Sequence, residues 1–567
     1  MNKQKLGLAN VVSISVGLVV ATSCLVSLGE GSGTLGVTFI LAMAIAMLLN
    51  MTTVASLSEL NALMPNTTGG LAQYTLAALG PLPTLVSMVG GYIICNTMSC
   101  GVEASIFSFS LADIIGGNVP SIVYTFIMTV IILLANLRGV DMFAKIQDVV
   151  AFLLVGSLVV MGFIGLGQQG CSDMSSFTAC PGVQIAACCD VDSIKRERFR
   201  RRVTAWQKSI NMAERCDVYE FYEDLLDRKD IDAVAIATPD HWHALVAIHA
   251  CQSGKDVFCQ KPLAYTITEG LAVQTAARLH KRVFQMGSQQ RSSAEFQKAI
   301  ELVQSGAIGH IDKIYARVGD PPKPLDLPEM PIPANLNFNQ WLGPLNDPKI
   351  HYHPDLCPPI SLDPEKNETL WGAWRWYQET GNGYPADWGA HMYDIAQAAI
   401  GMDGSGPVEF IPKGYNGAKY AAMRYANGIV MTEQPYREDN PNAQGLQFVG
   451  DKGWLKVARG YIECSDPSLL KTEKKEVGKG EYEVSSPHMQ NFIDAVRKRT
   501  DPNSPVECGC STNTLCCIFN IARELNRPVH WNPATLSFGD DKEAFAHRLY
   551  YYDYRRPYKL PYLDRRG

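Results

Sequence analysis

Residues 158–170, LVVMGFIGLGQQG, constrain this chain more than any other stretch, because they close one pattern and open another. Read backward, they finish an apolar run from about Val149 (VVAFLLVGSLVVMGFIGLG), long enough for a membrane helix. Read forward, VVMGFIGLG is a buried strand running into Gly165-x-Gly167-x-x-Gly170, the spacing of a dinucleotide-binding turn. The forward reading is preferred. It predicts a strand over 158–165, with Gly156 as the hinge where a helix from Lys145 stops. A continuous helix over 145–166 would defeat it.

The two sides of this stretch differ sharply. Positions 1–157 carry only Lys3, Lys5, Glu30, Glu59, Glu103, Asp113, Arg138, Asp141, Lys145 and Asp148 as charged residues, whereas the rest is charged like an ordinary soluble protein. Apolar runs near 10–28, 36–57, 83–111 and 119–137 are each long enough to cross a bilayer, and 145–166 would make a fifth. The basic residues at 3, 5, 138 and 145 favour a cytoplasmic N-terminus and a cytoplasmic 138–145 loop. With four spans, the C-terminal part of the chain stays in the cytoplasm; with five it would be delivered outside. Ser58-Glu59-Leu60 through Met64-Pro65, Gly69-Gly70, Tyr74, and Asn136-Leu137-Arg138-Gly139-Val140 together resemble the amino acid–polyamine–organocation permeases over about residues 5–160. That resemblance implies two inverted repeats with substrate held between them. This chain has one at most, so the half-site lacks its facing wall.

After the junction the pattern becomes α/β. The strand Val183-Gln184-Ile185-Ala186-Ala187-Cys188-Cys189 ends at Asp190, placed to accept ribose hydroxyls. Asp190 would repel a 2′-phosphate, which favours NAD over NADP; it also reads as a helix N-cap. Gly165, Gly167, Gln168, Gln169 and Gly170 form the phosphate turn. A basic, solvated helix is expected over 195–206. Further strand–loop units end in Thr238-Pro239-Asp240-His241-Trp242-His243, in Gln260-Lys261-Pro262 and near Arg291. Ligands bind outside the carboxyl ends of such strands. Asp387-Trp388-Gly389-Ala390-His391 comes later in the chain. On one helix, Asp387 and His391 stand four residues apart and point into one cleft.

These segments resemble the glucose–fructose oxidoreductase/inositol dehydrogenase/MocA (Gfo/Idh/MocA) family, through the T-P-x-x-x-H loop, the E-K-P loop and the D-x-x-x-H pair. Gln260 departs from the commonest Glu. The resemblance implies Lys261 near the nicotinamide and the substrate hydroxyl, with Asp387 and His391 as the catalytic pair. Thr238, Pro239, His243, Gln260 and Lys261 are cofactor-side candidates, and Arg375 and Trp376, with His391, are substrate-side ones. Otherwise Lys261 reads as an exposed loop lysine, and Asp387 and His391 as a cap and a surface histidine. The expected reaction moves a hydride between a sugar or cyclitol hydroxyl and NAD. The alternatives are an NAD-dependent glycoside hydrolase or a half-permease.

The expected architecture is therefore multi-domain. A transmembrane helical segment of four or five spans (1–157) is followed by an α/β Rossmann domain (158–291). An α+β domain with an open, mostly antiparallel sheet (292–567) completes it, and the whole reads as a fusion held at the inner membrane. A net charge of −6 and no basic stripe argue against nucleic acid as a partner. The 16 cysteines form no framework, and Cys508-Gly-Cys510 is too tight for a zinc knuckle, so reduced thiols and no metal site are expected. The tyrosine-rich 549–561 tail packs on the body or on another subunit, which leaves a homo-oligomer open.

Overall fold

The computed structural model describes residues 158–562, apart from Asn211, 363–370 and 471–480 and the side chains of 481–485, together with isolated positions 82, 123 and 126. The expected spans, the permease-like segment and the Gly156 hinge lie outside the described residues. Among the described residues, no helix is long and apolar enough to cross a membrane.

The junction stretch is a strand. β1 (Val159–Ile164) is followed by β2 (Val183–Cys189), β3 (Asp217–Tyr219), β4 (Ala233–Ile236), β5 (Asp256–Cys259) and β6 (Phe284–Met286). They form one sheet in the order β3-β2-β1-β4-β5-β6, every pair parallel. A helix continuing through 166 is thereby excluded. β1 and β4 read as unbroken apolar runs because both faces of a parallel sheet are covered. Gly162 lies in β1 because a Cβ there would come within 2.7 Å of Leu225.

The second sheet holds β7 (Ile311–Arg317), β8 (Glu409–Ile411), β9 (Ala422–Arg424), β10 (Val430–Thr432), β11 (Gly445–Gly450), β12 (Trp454–Ala458), β13 (Tyr461–Cys464) and β14 (Val529–His530). Its order is β13-β12-β11-β7-β10-β9-β8-β14, antiparallel except where β10 meets β7. The open, mostly antiparallel sheet is as expected.

The chain then returns to the first sheet. The helix Glu481–Lys498 lays Met489, Phe492, Ile493 and Val496 into the core around Phe163, Phe177 and Phe258. Phe177 meets Phe163 at 5.8 Å, Phe258 at 5.3 Å and Phe492 at 6.1 Å, all edge-on. The helix Val506–Glu524 gives Val506 and Cys510 to the opposite face. The tyrosine-rich tail packs on this same chain. Tyr554 donates to Glu269 at 2.5 Å, Tyr558 to Gln340 at 2.9 Å, and Arg555 to the Gly343 carbonyl at 3.0 Å.

Because Phe177 joins β1, β5 and the returning helix, Phe177→Ala should cost about 3–5 kcal/mol of unfolding free energy in denaturant titration. A loss below about 1 kcal/mol would contradict this packing.

Candidate active site

The glycine turn is built by contact. Gly165 has φ +88°, and a Cβ there would lie 2.6 Å from the Ala237 carbonyl; a Cβ on Gly170 would lie 2.1 Å from the Gly165 oxygen. Gly167 has nothing within 4 Å of that position, so it faces open space. The helix Gln168–Thr178 starts here with no side-chain cap on Gly167, leaving its N–H groups and positive dipole end for an anion.

That opening is a cleft of about 930 Å³. It is lined by Gly165, Gly167, Gln168, Gln169, Asp190, Thr238, Pro239 and Arg375 among the expected residues. Asp190 accepts from the Leu166 N–H at 2.8 Å and the Asp192 N–H at 2.9 Å, and burial raises its carboxyl above the ordinary range. It is not the N-cap; Asp192 is, accepting from Ile194 at 2.8 Å. The Thr238 hydroxyl is buried without a partner, which suits a polar ligand in the cleft. These residues fit a dinucleotide: an open turn, a helix N-terminus and a carboxylate at the end of β2.

The lining also contains residues that the sequence left unmarked. Lys195 belongs to the helix Ser193–Ser209, which read as a solvated basic face, yet it lines the cleft. Tyr222, Trp242, Trp341, Trp371 and Trp374 add aromatic walls. Local sequence does not assign the last three to this cleft, because a long stretch of chain separates them from the glycine turn.

Beside the cleft, Lys261 at the end of β5 donates to Asp387 Oδ1 at 2.6 Å and to its backbone carbonyl at 3.1 Å. Arg375 Nε lies 3.6 Å from the same carboxylate. Burial opposes the charge on Asp387, but Lys261 and Arg375 outweigh it and hold the carboxyl below its ordinary value. Arg375 lines the cleft, so it stands between the two regions. Its guanidinium lies 4.2 Å from the Trp374 ring and 4.9 Å from Trp371.

Several expectations need correction. Asp387 and His391 do not share one helix: Gly383–Asp387 ends at Trp388, and Gly389–Ala399 begins after it. The carboxylate of Asp387 faces Lys261 and Arg375, and no bond joins it to the imidazole. His391 is 6% exposed and its Nδ1 has no partner. Burial, then the charge of Lys261, lowers its pKa well below the ordinary value, so it is neutral near pH 7. The Gln260 side chain does not line the cleft; it is buried against Asp173 at 2.9 Å. Lys261 likewise turns to Asp387 rather than to the cleft wall. His243 meets the carbonyls of Pro262 at 2.6 Å and Thr238 at 2.9 Å, so it ties the two loops together. Trp376 stacks on Tyr384 at 4.2 Å and is not part of the cleft wall.

Two family models match this chain: an oxidoreductase family, NAD-binding Rossmann fold, over residues 159–288, and an oxidoreductase family, C-terminal alpha/beta domain, over residues 322–560. The chain belongs to the Gfo/Idh/MocA oxidoreductase family. Among relatives, it is 36% identical over 154 residues to a glycosyl hydrolase family 109 protein of Shewanella pealeana, covering 27% of this chain and 33% of that one. It is 30% identical over 166 residues to the uncharacterized oxidoreductase YrbE of Bacillus subtilis, covering 29% and 46%. The chain thus spans a third to under half of the length of these relatives. A solved structure of levoglucosan dehydrogenase with NADH and levoglucosan is similar at 17% identity and a TM-score of 0.45, over 66% of this chain and 99% of that one.

Asp240, buried in the first turn of the helix Asp240–Gln252, lies within the field of Arg375 and Lys261, and burial pushes its carboxyl up to about 8. A carboxyl raised by folding favours the fold at low pH and loses that favour as pH climbs to the folded value. Asp240→Asn should therefore flatten the fall in melting temperature between pH 6.5 and 8. Identical slopes in variant and wild type would refute the assignment.

Proposed function

We propose that this oxidoreductase oxidises or reduces a secondary hydroxyl of a sugar or cyclitol, with NAD as the partner. The observation that carries this reading is the meeting of Lys261 from the first sheet with Asp387 from the second domain, with His391 within the field of that lysine, beside a cleft walled by the glycine turn. When bound, NAD supplies the hydride acceptor.

The roles follow from charge and protonation. His391, neutral and with Nδ1 unpartnered, takes the proton of the substrate hydroxyl. Lys261 donates to the same oxygen and steadies its negative charge as it forms. Asp387 orients the Lys261 ammonium rather than the imidazole. Arg375 holds Asp387 ionised and closes the cleft from the substrate side. The tryptophans beside it offer faces on which a sugar ring can stack.

A second reading is an NAD-dependent glycoside hydrolase. Relatives named as glycosyl hydrolases support it, among them an alpha-N-acetylgalactosaminidase of Shewanella oneidensis, 34% identical over 155 residues. Attachment to a bilayer through the apolar runs before residue 158, with the enzyme unit on the cytoplasmic side, is proposed from the sequence alone. Fractionation of the full-length chain tests it.

Lys261→Ala and His391→Ala should each lower turnover of a sugar and cyclitol panel by about 10²–10⁴-fold. NADH binding, followed by fluorescence, should change little. Unchanged turnover in either variant would overturn the assignment. Net NADH formation from free polyols supports the dehydrogenase. Release of 4-nitrophenol from a nitrophenyl N-acetylgalactosaminide without net NADH supports the hydrolase.

A further inference from the structure

Asp173 is a carboxylate held by amides. It sits one turn after Gln169 on the helix Gln168–Thr178 and is 1% exposed. Gln169 Nε2 donates to its Oδ1 at 2.8 Å, and Gln260 Nε2 donates to both oxygens at 2.9 Å. Gln169 belongs to the glycine turn, and Gln260 immediately precedes Lys261. One buried carboxylate therefore fastens the nucleotide turn to the lysine loop. Burial pushes the Asp173 carboxyl up to about 7, and the two amides that draw it back toward the charged form come from those two loops.

Gln260 has little freedom to move. Its N–H donates to the Ile236 carbonyl at 2.9 Å, and its side chain packs so close to Gly287 that a Cβ there would lie 2.5 Å from Oε1. The amide is thus fixed at the end of β5, one residue from the ammonium that meets Asp387.

We infer that Asp173 is a positioning residue: through Gln260 it sets Lys261 against Asp387, and through Gln169 it holds the nucleotide turn in register with that lysine. The pairing also gives a reason for glutamine rather than glutamate at 260. Two carboxyls 2.9 Å apart cannot both stay ionised, so a glutamate would force a proton onto one of them, whereas the amide meets Asp173 in its charged form. The inference rests on the reading of Lys261 as the active-site lysine.

The test is a swap in the full-length chain at pH 8. Gln260→Glu sets two carboxylates together and should lower kcat about tenfold while NADH affinity holds within about threefold, because the Gln169 contact survives. The double variant Asp173→Asn/Gln260→Glu restores an amide–carboxylate pair with the partners exchanged, and kcat should recover to within about threefold of wild type. Labelling of Lys261 by trinitrobenzenesulfonate, read by mass spectrometry, should change in the single variant and return in the double. A single variant indistinguishable from wild type, or a double variant no better than the single with melting points unchanged, would overturn the inference. If wild type oxidises no polyol, the hydride-transfer reading fails, and the labelling rates alone still decide the role of Asp173.

Discussion

A parallel sheet needs apolar cover on both faces, and this one takes part of its cover from the far end of the chain. Phe163, Phe177 and Phe258 close against Phe492, far beyond β5 in the chain, while Val506 and Cys510 close the opposite face. Strands β7 to β13 of the second sheet therefore lie in the chain between the strands of the first sheet and the helices that cover it, and only β14 follows those helices. This return of the chain holds the 371–391 segment against the carboxyl ends of β1, β4 and β5, where the glycine turn, Thr238 and Lys261 lie. The candidate site forms because the cover and the 371–391 segment are carried by one fold.

Burial acts on the titratable groups there with one force and three outcomes. Asp387 keeps its charge because Lys261 lies 2.6 Å away and Arg375 stands beside it. Asp240 feels the same two cations too weakly to offset its burial, and is pushed up to about 8. His391 loses its charge because desolvation and the Lys261 ammonium act in the same direction. The result is a fixed ammonium–carboxylate pair next to a neutral imidazole, an arrangement suited to taking a proton from an uncharged hydroxyl.

Much of this was legible in the sequence. The glycine spacing, the acid after β2 and the apolar strands followed local rules, since turn geometry and two-faced burial are encoded in adjacent residues. Lys261, Asp387 and His391 were legible as motif residues, but their partnerships were not. The helix break at Trp388 turned Asp387 from the imidazole to the lysine, and periodicity alone could not show a break at a residue that itself keeps helical angles. Gln260 read as a cofactor contact because its partner, Asp173, lies 87 positions away. Lys195 read as solvated because a helical face shows its charge, not what stands opposite.

The sequence by itself determined a dinucleotide turn on a parallel sheet, a second mostly antiparallel sheet, and the three polar residues around which the chemistry is proposed. Strand patterns, glycine conformation and motif spacing are short-range properties, so they survive in one dimension. Only the tertiary structure decided which carboxylate meets which cation, which histidine ties two loops together, and which tryptophans wall the cleft. Those outcomes depend on burial and on contacts between residues far apart in the chain, and the energy of a charge or an amide is set by what is packed against it.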